Sequence, residues 1–315
     1  MKNGERKMEK NEFTYPSADN KTTIFATEWV PDGEVRAVLQ IAHGMVEYID
    51  RYDAFAYFLA EHGIYVTGND HLGHGRSVTS DDEHGFFAHP DGNKCVIKDM
   101  DRLRLITAEK YPGVPYFFLG HSMGSFLLRQ YLTRYGKGLA GAIIMGTGQQ
   151  PAPVLNAGKM LCSLIAMVKG WHHRSSLINN MAFGSYNKPF EPARTPCDWL
   201  SREESNVDKY MADPWCTYMF TVNGYHEMFT GIQQAQDPKN IDRIPKDLPV
   251  FFVAGAEDPV GEAGKGVKAC YDSYVNAGIL DISIKLYEND RHEILNEVDK
   301  DVVFSDLLEW MEKYI

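Results

Sequence analysis

The chain is 315 residues long, with 44% hydrophobic and 24% charged side chains, a composition that supports a sizeable packed core and excludes intrinsic disorder. Thirty-two basic against 43 acidic residues leave a formal net charge of -11. That is the wrong sign for neutralising phosphates, so nucleic acid is excluded as a partner.

The N-terminal MKNGERKMEKNEF is charged and lacks the apolar core of a signal peptide. No later stretch reads as apolar for long enough to cross a bilayer, so a cytoplasmic location is expected. Five cysteines (Cys95, Cys162, Cys197, Cys216 and Cys270) without a C-x-x-C pair argue against a disulfide framework or a zinc knuckle. From residue 23 short β-rich runs alternate with longer stretches of helical spacing. TIFATEW, RAVLQIAH, IYVTGND, PYFFLG and AGAIIMG are predicted strands. The last three are apolar on both faces, as befits strands covered by helices on each side. Arg51 to His62, Gly92 to Tyr111 and Ser125 to Tyr135 are predicted helices, the second with Val96, Met100 and Leu103 on one stripe.

After Gly148 the pattern breaks. Residues 148–236 are rich in Trp, Tyr, Phe and Met, punctuated by Pro, and hold no comparable apolar run. Strand logic resumes at PVFFVAG, followed by a helix near 262–278, a strand ISIKLY and a terminal helix with Val303, Leu307, Leu308 and Met311. The expected class is α/β: a doubly wound, mainly parallel sheet flanked by helices and interrupted once. Residues 1–147 and 237–315 form the two parts of the core in this reading, and 148–236 form a helical cap, or lid.

Gly120-His121-Ser122-Met123-Gly124 follows the apolar run PYFF and precedes an amphipathic stretch, the strand–turn–helix setting that gives G-x-S-x-G its meaning as a nucleophile elbow. The turn is so tight that side chains two residues either side of the serine would collide with neighbouring elements, and both positions are glycine. A serine hydroxyl needs an imidazole to take its proton and a carboxylate to orient that imidazole. In the α/β-hydrolase fold the chain order is Ser, then Asp or Glu, then His. Of eleven histidines, only His292 lies beyond His226, in a loop between ISIKLY and the terminal helix. Asp258 directly follows PVFFVAG and precedes Pro259, and it is preferred as the acid over Glu257 and Asp290.

Attack on an ester carbonyl places negative charge on its oxygen, and each fixed backbone donor there contributes about 3 kcal/mol. The N–H of Met123, after the nucleophile, and that of Met45, in the loop after RAVLQIA, are the expected oxyanion donors. His43 is read as structural, and the Asp70–Ser77 loop as packing beneath the site. His71-x-x-His74 has no third ligand cluster, and no P-loop or dinucleotide fingerprint is present, so no metal or cofactor is expected.

HGMVEYIDRYDAFAYFLAEHGIYVTGNDHLGHGRS, GHSMGS, AGAEDPVG and RHEILNE together resemble the monoacylglycerol lipase and lysophospholipase branch of the α/β hydrolases. The similarity spans roughly 20–147 and 237–315. It implies a helical cap over the site, hydrolysis of acyl esters of glycerol or related alcohols, and no metal, with Ser122, Asp258, His292, Met45 and Met123 at the family's functional positions. In the mammalian monoacylglycerol lipases the residue after His-Gly is commonly alanine, where this chain has Met45.

Six of the thirteen methionines (Met160, Met167, Met181, Met211, Met219 and Met228) fall in the insertion beside Trp171, Trp199 and Trp215, which suits an apolar acyl pocket or transient contact with a membrane or micelle. MLCSLIAMVKG is expected to form an amphipathic helix at the entrance. The substrate expected is a small acyl ester. An aminopeptidase or amidase with the same triad is the alternative, and an acidic cluster in the cap, for which Glu203 and Glu204 are available, would favour it. A non-catalytic binding module on this fold is disfavoured by the complete set of catalytic residues.

Overall fold

A computed structural model describes residues 8–315. Eight strands form one sheet: β1 (Glu9–Pro16), β2 (Thr23–Val30), β3 (Ala37–Ala42), β4 (Ile64–Asn69), β5 (Tyr116–His121), β6 (Gly141–Met145), β7 (Val250–Gly255) and β8 (Ile282–Tyr287), in the order β1-β2-β4-β3-β5-β6-β7-β8. β1 pairs antiparallel with β2, and β2 antiparallel with β4; all remaining pairs are parallel. Among the described residues ten α-helices accompany them: α1 (Asp53–Glu61), α2 (Gly92–Lys110), α3 (Met123–Tyr135), α4 (Ala152–Lys169), α5 (Ser176–Phe183), α6 (Glu204–Ala212), α7 (Val222–Gln236), α8 (Pro238–Ile241), α9 (Lys265–Asn276) and α10 (Lys300–Glu312).

Strands β3 to β7 are buried at every position. Period-two alternation sends Tyr116 and Phe118 to one layer, with Met100 and Leu103 of α2, Leu128 and Tyr131 of α3 and Val267 of α9. Phe117 and Leu119 go to the other, with Phe55 and Leu59 of α1 and Leu307 and Met311 of α10. Helices therefore cover both faces, as parallel pairing requires. The chain runs from β3 outward to β4 and then returns to add β5 on β3's other side. Such a reversal opens a crevice at the carboxyl ends of the strands, where ligands bind in doubly wound sheets.

Between β6 and β7 lie α4 to α8 and no strand. α4 corrects one expectation: by length and composition it reaches the border of what can cross a membrane. One edge of it is tied to α7 through Lys159 Nζ to Gln233 Oε1 (2.9 Å) and Gln233 Nε2 to Asn156 Oδ1 (2.6 Å). Leu155, Gly158, Cys162 and Ala166 are its buried stripe. Helix α7 in turn joins the core: Glu227 accepts from the Asn93 N–H at the start of α2 at 2.9 Å, and Gly231 packs on the Asn93 and Gln130 side chains.

Candidate active site

β5 ends in the G-x-S-x-G turn, and Ser122 takes φ 54°, ψ -119°, a backbone conformation that non-glycine residues seldom adopt. The Ser122 N–H donates to Met145 O of β6 at 3.0 Å, and the Ser122 carbonyl accepts from Ser125 Oγ at 2.6 Å, which fixes the turn from both sides. The glycines are required by crowding. A Cβ on Gly120 would strike the Gly124 carbonyl, and one on Gly124 would strike the carbonyls of Ala42 and His43. The elbow thus packs directly on the end of β3, and Ser122 Cβ borders Gly44 in the loop that follows β3.

In that loop His43 is fully buried, and burial lowers its pKa to about 3, so the ring is neutral. Its Nδ1–H donates to Gly44 O at 2.8 Å while its Nε2 accepts from the His71 N–H at 2.9 Å. The pinned Gly44 carbonyl forces the N–H of the same planar peptide, that of Met45, to the opposite side. Among the described residues no protein group accepts from that N–H. Val46 at φ 55°, costly for a β-branched residue, completes the bend. Met123 opens α3, where the first N–H groups have no helical acceptor. Met45, Met123, Ser122 and His292 line one cavity of about 530 Å³.

His292 Nδ1 lies 2.9 Å from Asp258 Oδ2, and both side chains are buried. Asp258 Oδ1 accepts from the Val260 N–H at 2.9 Å, which orients the carboxylate. Asp290 lies elsewhere: it is buried against Arg202, and burial together with the neighbouring Glu297 and Asp299 raises its pKa to about 7. Glu257 is away from the cavity lining, and Glu203 is spent at the start of α6, accepting from the Ser205 N–H. His71 and His74 are buried with His43 in a neutral cluster, their pKa values lowered by burial first. Among the described residues no group of three potential ligands could hold a metal ion.

Sequence reasoning missed a buried charge network beneath the site. Arg51 donates to Glu293 Oε1 and Oε2 at 2.7 Å each and to Glu47 Oε2 at 2.9 Å. Glu47 Oε1 accepts from the Gly44 N–H and from Tyr52 OH (2.9 Å), and faces His121 Nδ1 at 3.2 Å. His121 Nε2 faces His292 O at 3.2 Å. Burial disfavours a charge on His121, but the Glu47 carboxylate outweighs it and the His121 pKa is raised. One network therefore joins the β3 loop, the elbow and the His292 loop. Its one sequence signal was Glu47-x-x-x-Arg51, an i,i+4 charge pair at the site's edge.

The cavity wall is mostly apolar, lined by Phe126, Leu155, Leu161, Met228, Phe229 and Ile232 from α3, α4 and α7 and by Tyr186, Trp199, Tyr210 and Met211. A serine elbow at the switch point of a doubly wound sheet, beside a buried His–Asp pair and an apolar cavity, defines an α/β hydrolase. A family model described as serine aminopeptidase, S33, matches residues 33–299, and the chain belongs to that family. A monoacylglycerol lipase of Mycolicibacterium smegmatis is 26% identical over 287 residues, covering 91% of this chain and 92% of that protein. A monoglyceride lipase of Rattus norvegicus is 26% identical over 288 residues, covering 87% and 81%. Among solved structures, a highly thermostable carboxyl esterase from Bacillus coagulans in complex with glycerol superposes with a TM-score of 0.91 at 26% identity, covering 98% of this chain and 99% of that one.

Proposed function

We propose that the protein is a carboxylic ester hydrolase that cleaves small acyl esters, with monoacylglycerols, lysophospholipids or short acyl esters as substrates, through an acyl-enzyme on Ser122. His292 takes the Ser122 proton and returns it to the leaving alcohol, Asp258 holds the imidazole, and the Met45 and Met123 N–H groups receive the oxyanion. The observation that carries this reading is the buried His292–Asp258 pair, 2.9 Å apart, at the wall of an apolar cavity that also holds Ser122. The lipase and esterase relatives support it. Amide substrates with a free amino terminus are disfavoured, because the carboxylates bordering the cavity, Glu47 and Glu293, are already paired with Arg51. Labelling by a fluorophosphonate probe is expected in the wild type and absent in Ser122→Ala. An unlabelled, folded wild type would overturn the proposal, and turnover across p-nitrophenyl esters, monoacylglycerols, lysophospholipids and aminoacyl amides would rank the substrates.

Residues 148–236 act as the cap in this proposal, and the outer face of α4 and α5 meets the lipid surface. Met160, Leu164, Met167, Val168, Leu177 and Met181 are exposed there, Met167 at 75% and Val168 at 84%. Exposed apolar side chains on helices beside the cavity are what an interfacial helix presents. Ile165 instead packs toward the core. Replacing Leu164 and Met167 together by Ser is expected to lower turnover of micellar ester several-fold while leaving a dissolved short-chain ester unchanged. Equal rates on micelles would remove the interfacial role.

A further inference from the structure

His292 has two aromatic neighbours. The His121 ring lies 4.8 Å from it, centroid to centroid, at 40°, and the Trp199 ring lies 5.1 Å away at 39°. His121 belongs to the elbow, but Trp199 comes from the helical segment between β6 and β7, and its other flank is closed by Tyr186 at 5.1 Å and 66°. With Asp258 at Nδ1, the imidazole is held on one edge and packed by two aromatic rings.

Trp199 is itself held in place by main-chain bonds. Its N–H donates to Asn187 Oδ1 at 2.9 Å. The next residue, Leu200, accepts from the Glu293 N–H at 2.7 Å, so the residue after Trp199 is bonded to the residue after His292. Two residues on, the Arg202 N–H donates to both oxygens of Glu297 at 3.1 Å, and Glu297 Oε1 also accepts from the Arg291 N–H at 2.9 Å. The Arg202 guanidinium reaches Asp290 and Asp299, and Arg291 Nη1 donates to Asp198 O at 2.5 Å. Residues 198–202 and 290–299 are thus fastened along their length, in contrast to the exposed outer side of α4 and α5.

We propose that Trp199 is a positioning residue for His292, that it favours the protonated imidazole through its aromatic face, and that the Arg202–Glu297 brace sets its place. This rests on His292 being the general base. An imidazolium forms in each acyl-transfer step, and an aromatic face beside it attracts the cation, Trp more than Phe. The other charged or titratable groups around the ring are Asp258 on its edge, His121 with Glu47 behind it, Glu293 with Arg51, Tyr186 beyond Trp199, and Asp290 paired with Arg202. Leucine at 199 keeps an apolar side chain, though a smaller one, and removes the π face without changing these charged groups.

The test is the pH dependence of kcat and kcat/KM on a dissolved p-nitrophenyl ester for wild type, Trp199→Leu, Trp199→Phe, Arg202→Gln and the Trp199→Leu/Arg202→Gln double variant. Trp199→Leu should lower kcat by ten-fold or more with KM nearly unchanged. Its acid limb should move about half a pH unit lower, because the protonated imidazole loses its aromatic neighbour. Trp199→Phe should restore most of both effects. Arg202→Gln should also lower kcat, and the double variant should lose less than the product of the single losses. A kcat loss with an unmoved acid limb, or an unchanged kcat in Trp199→Leu, overturns the proposal. Thermal unfolding of each variant identifies a folding failure, in which case the Trp199→Phe comparison decides. His292→Ala, run alongside, tests the underlying reading separately: full activity there would remove the base assignment itself.

Discussion

Ser122→Ala and His292→Ala are each expected to lower kcat by about 10⁴- to 10⁶-fold, with the double variant little worse than either. The reason is mechanical coupling. Without the hydroxyl there is nothing for the imidazole to activate, and without the imidazole the hydroxyl is a poor nucleophile. In the proposed mechanism each single change therefore removes the whole route, and the residual rate would come from the Met45 and Met123 donors and from binding in the cavity. Neither substitution enlarges a side chain at the crowded turn, and Ser122 main-chain bonds to Met145 and Ser125 do not use the Ser122 hydroxyl. Urea denaturation should accordingly show the wild-type midpoint for Ser122→Ala within about 0.5 kcal/mol. Losses that multiply in the double variant would contradict a triad acting as one unit.

The central sheet was legible because its strands are buried on both faces, so β4 to β7 appear in the sequence as continuous apolar runs bounded by turn residues. β1 was not. EKNEFTYP lies at the sheet's edge with most residues exposed, so the solvated strand carries no apolar signature and is fixed mainly by its pairing with β2. The His292–Asp258 juxtaposition was reachable from chain order, since one histidine follows the last strand. The surroundings were not. Arg51 and Glu293 are 242 residues apart, and nothing local distinguishes them from surface charges until the fold carries the turn before α1 and the loop before α10 to the same place. Trp199 was visible as an aromatic in a methionine-rich segment, but its contact with His292 depends on a brace whose members span the insertion and the C-terminal loop.

Arg51→Met is expected to destabilise the fold by about 3–5 kcal/mol at pH 7, because it leaves a buried carboxylate without its cation. Glu47 retains His121, the Gly44 N–H and Tyr52 OH, whereas Glu293 keeps only the amides of Asn206 at 2.7 Å and Asn296 at 3.3 Å. Burial by itself raises the pKa of both carboxylates; in the native network it is outweighed, for Glu47 by His121 and Arg51 and for Glu293 by Arg51, and both lie below the usual range. A depressed folded-state pKa contributes stability that is present above the unfolded value, about 4.3 for Glu, and is lost as pH falls through the folded value. In Arg51→Met burial acts on Glu293 against two amide donors alone, its pKa is expected to rise above the unfolded value, and acidification then stabilises the variant relative to itself at neutral pH. The difference between wild type and variant should be widest near pH 7 and shrink toward pH 4, read from urea unfolding at both. Arg51→Lys keeps the charge but not the two-pronged geometry and should lose less. Activity should fall as well, since Glu47 bonds the loop bearing Met45 while Glu293 adjoins His292. An offset independent of pH would mean that Arg51 contributes through packing alone, and that its charge does not hold the two loops together.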